Sequence, residues 1–391
     1  MKVEQIATLI NGVSSEVLGK SDITAENLSK VVDMGKEIFD SDKVDNYVKS
    51  LVNHIGKVIF VNRPYSGSLP SILMDSWEYG SVLEKITAEI PEAEENDSWA
   101  LKDGTEYKQD IFKSPKVSAK FFNSKNTFEI PMSFTERQVK ESFSSVEELN
   151  AFISMIYGAI DKSMTIKIDS LVMRTINNMI AQTLHHDFAD VSDGDYSKKT
   201  SNRAVNLLKL YNDKYGTALT ADKCLYDANF IRFASFVMGT YKDRLSKIST
   251  LFNVGGKERF TTNDMMHIVL LADFKNAAAA FLESNTFHNE LVALPDAETV
   301  PYWQGSGEDY SFNKVSDIHV NISTSDSTTA EIIASGIIGV MFDRDSMGVC
   351  NTDRRVTTNY NAKAEFYNNW FKFDASYFND LNENFIVFFV A

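Results

Sequence analysis

Two adjacent histidines are the best candidates for metal chemistry in this sequence. His185 and His186 are followed by Asp187 and Asp190, and imidazole and carboxylate groups are both common zinc ligands. Neighbouring residues of a helix point about 100° apart, so both rings cannot face one ion unaided. The pattern is more typical of the polar end of a helix than of a metal site.

Two further stretches resemble ligand-binding loops without meeting their requirements. Residues 255–258 read Gly-Gly-Lys-Glu, whereas a phosphate loop needs four residues between its glycines and Ser or Thr after the lysine. Residues 343–354 begin like a calcium loop, but Met347 and Arg354 occupy positions that need oxygen ligands. We therefore expect no catalytic, cofactor or metal residues, and a protein that is not an enzyme.

Composition describes a folded chain with an acidic surface. The 391 residues are 43% hydrophobic and 12% aromatic, with a formal net charge of −15. That length is sufficient for two or three domains. A surface that grips nucleic-acid phosphates needs clustered Lys and Arg, which this balance disfavours.

The cysteines and the hydropathy pattern bear on the compartment. Cys224 and Cys350 are far apart and form no Cys-x-x-Cys motif, which fits a reducing environment. The first residues lack the apolar core of a signal peptide, and the longest nearly apolar segment, Ile332–Phe342, is too short to span a bilayer. We expect a soluble intracellular product that does not bind membranes.

A very long helix is predicted over Ser144–Leu184, and the other elements are arranged around it. Apolar residues recur there at intervals of one, three or four, and Ser145 with Glu148 has the form of a capping box. Its length would be roughly 60 Å. Two interpretations are open: an ordinary core helix with a kink at Gly158, or a spine that carries separate sheets and an arm.

An extended arm precedes this helix. Strand patterns are predicted at Val82–Ile86, Lys116–Phe122 and Thr127–Phe134, and the last two are predicted to pair as a hairpin through residues 123–126. An acidic run and a basic run accompany these strands. Both are either solvated faces or surfaces that meet between neighbouring subunits; the candidate interface residues are Glu92, Glu94, Glu95, Asp97, Lys113, Lys116, Lys120 and Lys125.

The remaining chain predicts short N-terminal helices, a lobe and C-terminal strands. Residues 1–60 indicate weak amphipathic helices, and Asp187–Thr200 is a candidate linker. The final strand, Asn384–Val390, is so apolar that it must be buried in a sheet. The other predicted elements are helices Arg203–Tyr215, Ala228–Ile248 and Asn276–Glu283, strands His267–Ala272, Ile318–Ile322, Arg355–Tyr360 and Glu365–Phe373, and the apolar segment Ile332–Phe342.

This order of parts resembles a major capsid protein of a tailed bacteriophage with the HK97-type fold. The segments Leu51–Ile59 and Phe143–Ile180, and the ending Phe366–Ala391, are similar in layout to capsid proteins of the short-tailed phages related to phi-29. The resemblance covers nearly the whole chain. It implies an α+β fold with an N-terminal arm at 1–63, an extended loop (the E-loop) at 64–134, a spine helix of the peripheral domain at 135–186, an axial domain at 187–350 and C-terminal strands of the peripheral domain at 351–391.

The resemblance also implies a function and partners. Copies of the chain, as hexamers and pentamers, would assemble in the host bacterial cytoplasm into an icosahedral or prolate head of the virion. That head would enclose double-stranded DNA without sequence-specific binding. A separate scaffolding protein, a portal and head-decoration or fibre proteins are the other expected partners.

Two other classes of protein remain open on sequence alone. An encapsulin shares the fold and forms a smaller compartment around cargo enzymes. A cytosolic α+β enzyme is the more distant alternative, and it would elute as a small oligomer rather than as shells.

Overall fold

The structure, a computed structural model, describes residues 3–19, 37–38, 46–51, 69–74, 83–91, 93, 95–107, 112, 114–144, 146–188, 199–283, 297–304, 312–323 and 329–391. Its helices are Val3–Leu18, Glu136–Ser142, Val146–Phe188, Leu207–Tyr215, Ala221–Cys224, Ala228–Leu245, Ala272–Glu283 and Phe312–Val315. Its strands are β1 (Leu83–Ala88), β2 (Val117–Phe122), β3 (Lys125–Thr135), β4 (Ala204–Asn206), β5 (Met266–Leu271), β6 (Glu298–Val300), β7 (Ile318–Ser323), β8 (Thr329–Ala334), β9 (Ile337–Asp343), β10 (Met347–Asn361), β11 (Phe366–Asn379) and β12 (Phe385–Phe389).

The long helix is confirmed as one element of 43 residues, Val146–Phe188. Its apolar stripe is buried at helical spacing, with Ile153, Ile160, Ile168 and Ile176 all less than 5% exposed. Gly158 does not interrupt it. Ser145, the predicted cap, lies outside the described residues.

A capping box is found one helix earlier. Thr135 Oγ1 accepts a hydrogen bond from Gln138 N at 3.2 Å, and Gln138 Oε1 accepts one from Thr135 N at 2.9 Å. These bonds satisfy two backbone donors at the start of Glu136–Ser142. They lie where strand β3 ends and where the short helix that precedes the long helix begins.

The chain packs as two units, each built from separated segments. The first contains Met1–Glu78, Lys125–Ile176 and Gly348–Tyr377; the second contains Tyr79–Ser124, Asn177–Met347 and Phe378–Ala391. In the first unit, β10, β11 and β3 form a sheet in that order. Phe134 of β3 lies 5.5 Å from the ring of Phe152 on the long helix and 6.2 Å from that of Tyr367 on β11.

The second unit contains a five-stranded mixed sheet in the order β4-β12-β9-β5-β6. Strand β12 pairs in parallel with β4 and antiparallel with β9, and every residue of β12 is buried. The expected burial of the final strand is therefore confirmed. Side chains of the helices Leu207–Tyr215, Ala228–Leu245 and Ala272–Glu283 share one hydrophobic core with this sheet.

The predicted hairpin between residues 116 and 134 is wrong in its pairing. Strand β2 pairs antiparallel with β1, whereas β3 pairs antiparallel with β11. A two-residue hairpin turn needs a positive φ at a central residue, and among the described non-glycine residues only Glu365 has one, so Asn123 and Ser124 do not form it. Alternation identified the strands but could not identify their partners.

Two other predicted elements are divided differently. The start of the predicted helix Arg203–Tyr215 is strand β4, after which Asn206 Oδ1 accepts from Lys209 N at 3.0 Å and caps the helix. The apolar segment Ile332–Phe342 contains the end of β8 and most of β9, separated at Gly336 with φ of 76°. The division of the whole chain into five named domains stays a prediction.

Candidate assembly interface

Strands β1 and β2 form a two-stranded antiparallel ladder with two unlike faces. The register places Lys85 opposite Lys120 and Ile86 opposite Ala119. Because side chains alternate along a strand, the lysines share one face and the apolar pair lies on the other. We call these the inner face (Leu83, Lys85, Thr87, Ser118, Lys120 and Phe122) and the outer face (Glu84, Ile86, Ala88, Val117, Ala119 and Phe121).

The inner face is held by two buried carboxylates in the loop between β11 and β12. Asp380 is 2% exposed and Glu383 is 7% exposed. Lys120 Nζ donates to Asp380 Oδ1 at 2.9 Å. Lys85 Nζ lies 3.1 Å from Asp380 Oδ2 and donates to Glu383 Oε1 at 2.8 Å. Two like charges placed directly opposite would destabilise an isolated ladder, so these carboxylates stabilise its register.

Two further groups complete this cluster. Arg259 Nε donates to Glu383 Oε1 at 3.1 Å, and Lys85 Nζ also donates to the carbonyl of Asp345 at 3.2 Å. Burial by itself would raise the pKa of the Asp380 carboxyl. The hydrogen bond from Lys120 and the charge of Lys85 outweigh burial, and the pKa lies below its ordinary value. Asp380 is therefore a buried anion held by cations of the ladder.

The outer face is apolar and exposed. Ile86, Val117 and Phe121 are 64%, 58% and 63% exposed. On the inner face, by contrast, Phe122 packs on Phe378 with ring centroids 5.1 Å apart. The lysines of the ladder are thus turned inward, and apart from Glu84 the side chains of the outer face are apolar, the reverse of an ordinary surface strand pair. Exposed apolar strips of this kind mark interaction surfaces.

The predicted interface residues are only partly brought together. Lys120 is in the inner face, and Lys116 Nζ lies 3.7 Å from Glu89 Oε2 with both side chains exposed. Lys125 begins β3, opposite Ser376 of β11. Glu95 is exposed, and the backbone of Asp97 begins a short 3-10 helix, Asp97–Trp99. Glu92, Glu94 and Lys113 lie outside the described residues.

Sequence reasoning missed the other half of the cluster. Asp380 and Glu383 lie about 260 positions or more from their lysine partners. No motif or periodicity connects residues so distant, and Lys85 and Arg259 carried no signal either. The one available hint was the alternation of β2, which places Lys120 on the face opposite Val117, Ala119 and Phe121.

The two histidines considered as metal ligands lie at the end of the long helix, where the neighbouring Asp187 is bound by Arg203 and Ser201. Asp187 is 1% exposed as a side chain, and Arg203 Nε donates to its Oδ1 at 2.9 Å while Ser201 Oγ donates to Oδ2. His186 Nδ1 lies 3.3 Å from the same Oδ1, and Asp190 lies outside the described residues. Over the part of the chain that is described, no three His, Cys, Asp or Glu side chains are grouped to hold a metal ion. No helix in the same ranges has the length and apolar character needed to cross a membrane.

The fold is the α+β HK97-type fold of phage capsid proteins. Its elements here are the 43-residue helix, the β1–β2 ladder and the five-stranded mixed sheet. The family model of the Phi29-like phage major capsid proteins matches residues 6–389, and the chain belongs to this family. It is a structural protein of a phage capsid and a component of the virion.

Two phage capsid structures are among the solved structures that match this chain. The capsid structure of Staphylococcus phage Andhra matches with a TM-score of 0.50 and 11% identity, over 84% of this chain and 86% of that chain. The capsid structure of the cyanophage P-SCSP1u matches with a TM-score of 0.46 and 10% identity, over 84% and 89% of the two chains. No curated protein sequence matches this chain.

Proposed function

We propose that this chain is the repeating shell subunit of a phage head and has no catalytic activity of its own. Copies would associate as hexamers and pentamers on a separate scaffolding protein in the host bacterial cytoplasm, closing an icosahedral or prolate shell. The observation that carries the proposal is the exposed, apolar outer face of the β1–β2 ladder in a member of a capsid family. A neighbouring copy is the partner that would cover it.

Weak contacts are sufficient for such a shell. A two-stranded ladder is only marginally stable alone in water, so packing against a second copy would stabilise both the ladder and the assembly. When many subunits each make several contacts, the linked contacts act together far more strongly than one does alone. The extended loop at 64–134, the axial domain at 187–350 and the other predicted domains would then be the units that meet at these contacts.

We expect opposite charges on neighbouring copies to add to the apolar contact made by the outer face. The acidic run Glu92–Asp97 of one subunit would face basic residues of another. Lys116 is 82% exposed and lies 3.7 Å from Glu89 Oε2 of its own chain, an exposed pair that such a contact would replace. Lys120 is already paired with Asp380 in its own chain. Charge reversal of Glu94 and Glu95 should lower the yield of shells, and an unchanged yield would rule out this pairing.

The net charge of −15 also suits a container for DNA. A wall with few clustered cations would form few phosphate contacts, and the packaged double-stranded DNA would remain free to leave. A portal and head-decoration or fibre proteins are the further partners that we propose for this shell.

Negative-stain imaging and size-exclusion chromatography test the proposal. The chain expressed with its scaffolding protein should give closed shells of megadalton mass, and the chain expressed alone should give sheets, aggregates or aberrant shells. A single subunit or small oligomer under both conditions would contradict the proposed function. Shells filled with cargo peptide rather than DNA would favour the encapsulin alternative.

A further inference from the structure

The loop of residues 95–107, which we call the Trp99 loop, is ordered by its own hydrogen bonds. Tyr107 Oη accepts from Lys102 N at 3.0 Å, and Thr105 N donates to the carbonyl of Lys102 at 3.3 Å. Gly104 supplies the positive φ of 77° at this turn. These bonds hold residues 102–107 of the loop in a turn just after Trp99.

Its side chains contribute nothing to the core of their own chain. Trp99 is 99% exposed, Leu101 65% and Tyr107 43%. Tryptophan is the residue type most enriched among those that dominate binding energy at protein interfaces. An ordered loop that presents a complete indole to solvent is well suited to inserting it into a partner.

An aromatic pocket lies elsewhere in the second unit, between the helices Leu207–Tyr215 and Ala228–Leu245. Its volume is about 520 Å³, within the range of pockets that enclose small ligands. The rings of Tyr211 and Phe233 are 5.5 Å apart, and Tyr215 meets Phe233 edge-on at 6.0 Å. We call it the aromatic pocket; the lining residues used below are Tyr211, Lys214, Tyr215, Arg232, Phe233 and Phe236.

Two cations of this pocket are left without a carboxylate partner. Lys214 Nζ lies 5.5 Å and 5.4 Å from the ring centroids of Tyr215 and Phe233. Within the described ranges, neither Lys214 nor Arg232 is within ion-pair distance of a carboxylate. The two nearby carboxylates, Asp213 and Asp227, bind other groups.

The partners of these two carboxylates lie on their own helices. Asp213 pairs with Lys209 at 2.7 Å, and Asp227 Oδ1 accepts from Asn229 N and Phe230 N at 2.8 Å as a helix cap. In a chain with 54 acidic and 39 basic residues, two uncompensated cations beside the exposed rings of Tyr215 and Phe236 form a site for an anionic, aromatic partner. The cations would attract the negative charge of such a partner, and the rings would pack against its aromatic side chain.

We propose that the Trp99 loop of one copy docks in the aromatic pocket of a second copy. The loop carries Glu95, Asp97, Asp103 and Glu106 against the single cation Lys102, so its charge is opposite to that of the pocket. The indole would pack against the exposed rings of Tyr215 and Phe236, over a floor formed by the mostly buried Tyr211 and Phe233. The loop carboxylates would face Lys214 and Arg232. This inference rests on the proposed self-assembly and names one contact within it.

A peptide titration tests the docking without requiring shells. A fluorescent peptide of residues 95–107 is titrated with the dispersed full-length chain, and binding is followed by fluorescence anisotropy. We expect saturable binding that weakens about tenfold or more when the peptide carries Trp99→Ala or the chain carries Lys214→Glu. Lys247→Glu, which reverses an exposed lysine outside the pocket, should leave binding unchanged. No saturation up to about 1 mM chain, or equal binding by Lys214→Glu and Lys247→Glu, would overturn the proposal.

A photo-crosslink separates this contact from assembly as a whole. With p-benzoylphenylalanine at position 99, shells should give a crosslink between copies that maps to residues 207–236. A crosslink to another part of the chain, or to the scaffolding protein, would overturn the docking and leave the shell role standing. Failure to form shells at all would count against the proposed function, and the peptide titration would still decide the docking.

Discussion

Lys120 Nζ donates a hydrogen bond of 2.9 Å to Asp380 Oδ1, a residue 260 positions later in the chain. This bond joins the ladder of the extension to the loop that leads into the last buried strand. It also explains why the lysines of the ladder face inward, because Asp380 is only 2% exposed and needs cations beside it. Ile86, Val117 and Phe121 of the same two strands consequently point outward.

Replacing the buried carboxylate should destabilise the second unit. Asp380→Asn leaves Lys120 without a countercharge opposite Lys85, which keeps only its pair with Glu383, and we expect the free energy of unfolding to fall by about 2 kcal/mol. Asp213→Asn is the matched control, since Asp213 is 62% exposed in its pair with Lys209 and should cost at most about 0.5 kcal/mol. Urea unfolding of the dispersed chains measures both. Equal losses for the two variants would contradict the assigned role of Asp380.

Acid should remove the contribution of Asp380. Its pKa in the folded chain lies below the ordinary value, so its stabilising effect is fully present above the unfolded carboxyl pKa of about 4 and is lost as the pH falls through the folded value. The difference in unfolding free energy between the original chain and Asp380→Asn should be constant from about pH 5 to 7 and shrink below about pH 4. If the difference in unfolding free energy grew as the pH fell, the pKa of Asp380 in the folded chain could not lie below its ordinary value.

The outer face should matter for assembly and not for folding. The double change Ile86→Ser with Phe121→Ser removes two exposed apolar side chains, so subunit stability should change by no more than about 0.5 kcal/mol. Shell yield in negative-stain images should fall strongly, because the surface that a neighbour would cover is lost. Phe121→Tyr keeps the ring and should keep the yield. Normal shells from the double variant would show that this face is not an interface.

Two glycines with the same backbone conformation should respond differently to alanine. A Cβ on Gly336, at φ of 76°, would lie 1.8 Å from the carbonyl oxygen of Val390, whereas a Cβ on Gly104, at φ of 77°, meets no atom within 4 Å. Gly104→Ala should therefore cost only the backbone strain, about 1 kcal/mol. Gly336→Ala must also displace the end of the chain, and we expect a loss of more than about 3 kcal/mol or insoluble protein. Similar melting temperatures for the two variants would contradict this account.

Cys224 should be inert in the folded protein. Its side chain is fully buried, and burial raises the pKa of the thiol to about 12. Since the thiolate is the reactive form, a thiol-specific reagent at pH 8 should not label Cys224 until the chain unfolds. Labelling of the native chain at this residue, located by peptide mass spectrometry, would show that the site opens without global unfolding.

Much of the secondary structure could be read from local patterns. The long helix was predictable because Ile153, Ile160, Ile168 and Ile176 repeat at helical spacing over many turns. A run of that length with one period fits a helix and no other element. The burial of β12 followed from its composition alone. Within the candidate interface, alternation places Lys120 on the face opposite Val117, Ala119 and Phe121 of β2.

Pairing across the chain could not be read in this way. The same alternation that identified β2 and β3 fits any partner strand, so it suggested a hairpin where β2 pairs with β1 and β3 with β11. The start of the helix after Arg203 was misassigned for a related reason, because Ala204–Asn206 becomes a strand only when β12 lies beside it. Propensity is local, whereas sheet membership is decided by residues far away.

Spacing and composition were enough to predict the long helix, the apolar final strand and the acidic balance, because they act through neighbouring residues and total charge. The folded chain was needed to show that Lys85 and Lys120 turn toward Asp380 and Glu383, and that Ile86 and Phe121 turn outward. The physical reason is that an ion pair forms where two groups meet in space. Nothing in the spacing of residues 85, 120 and 380 encodes that meeting.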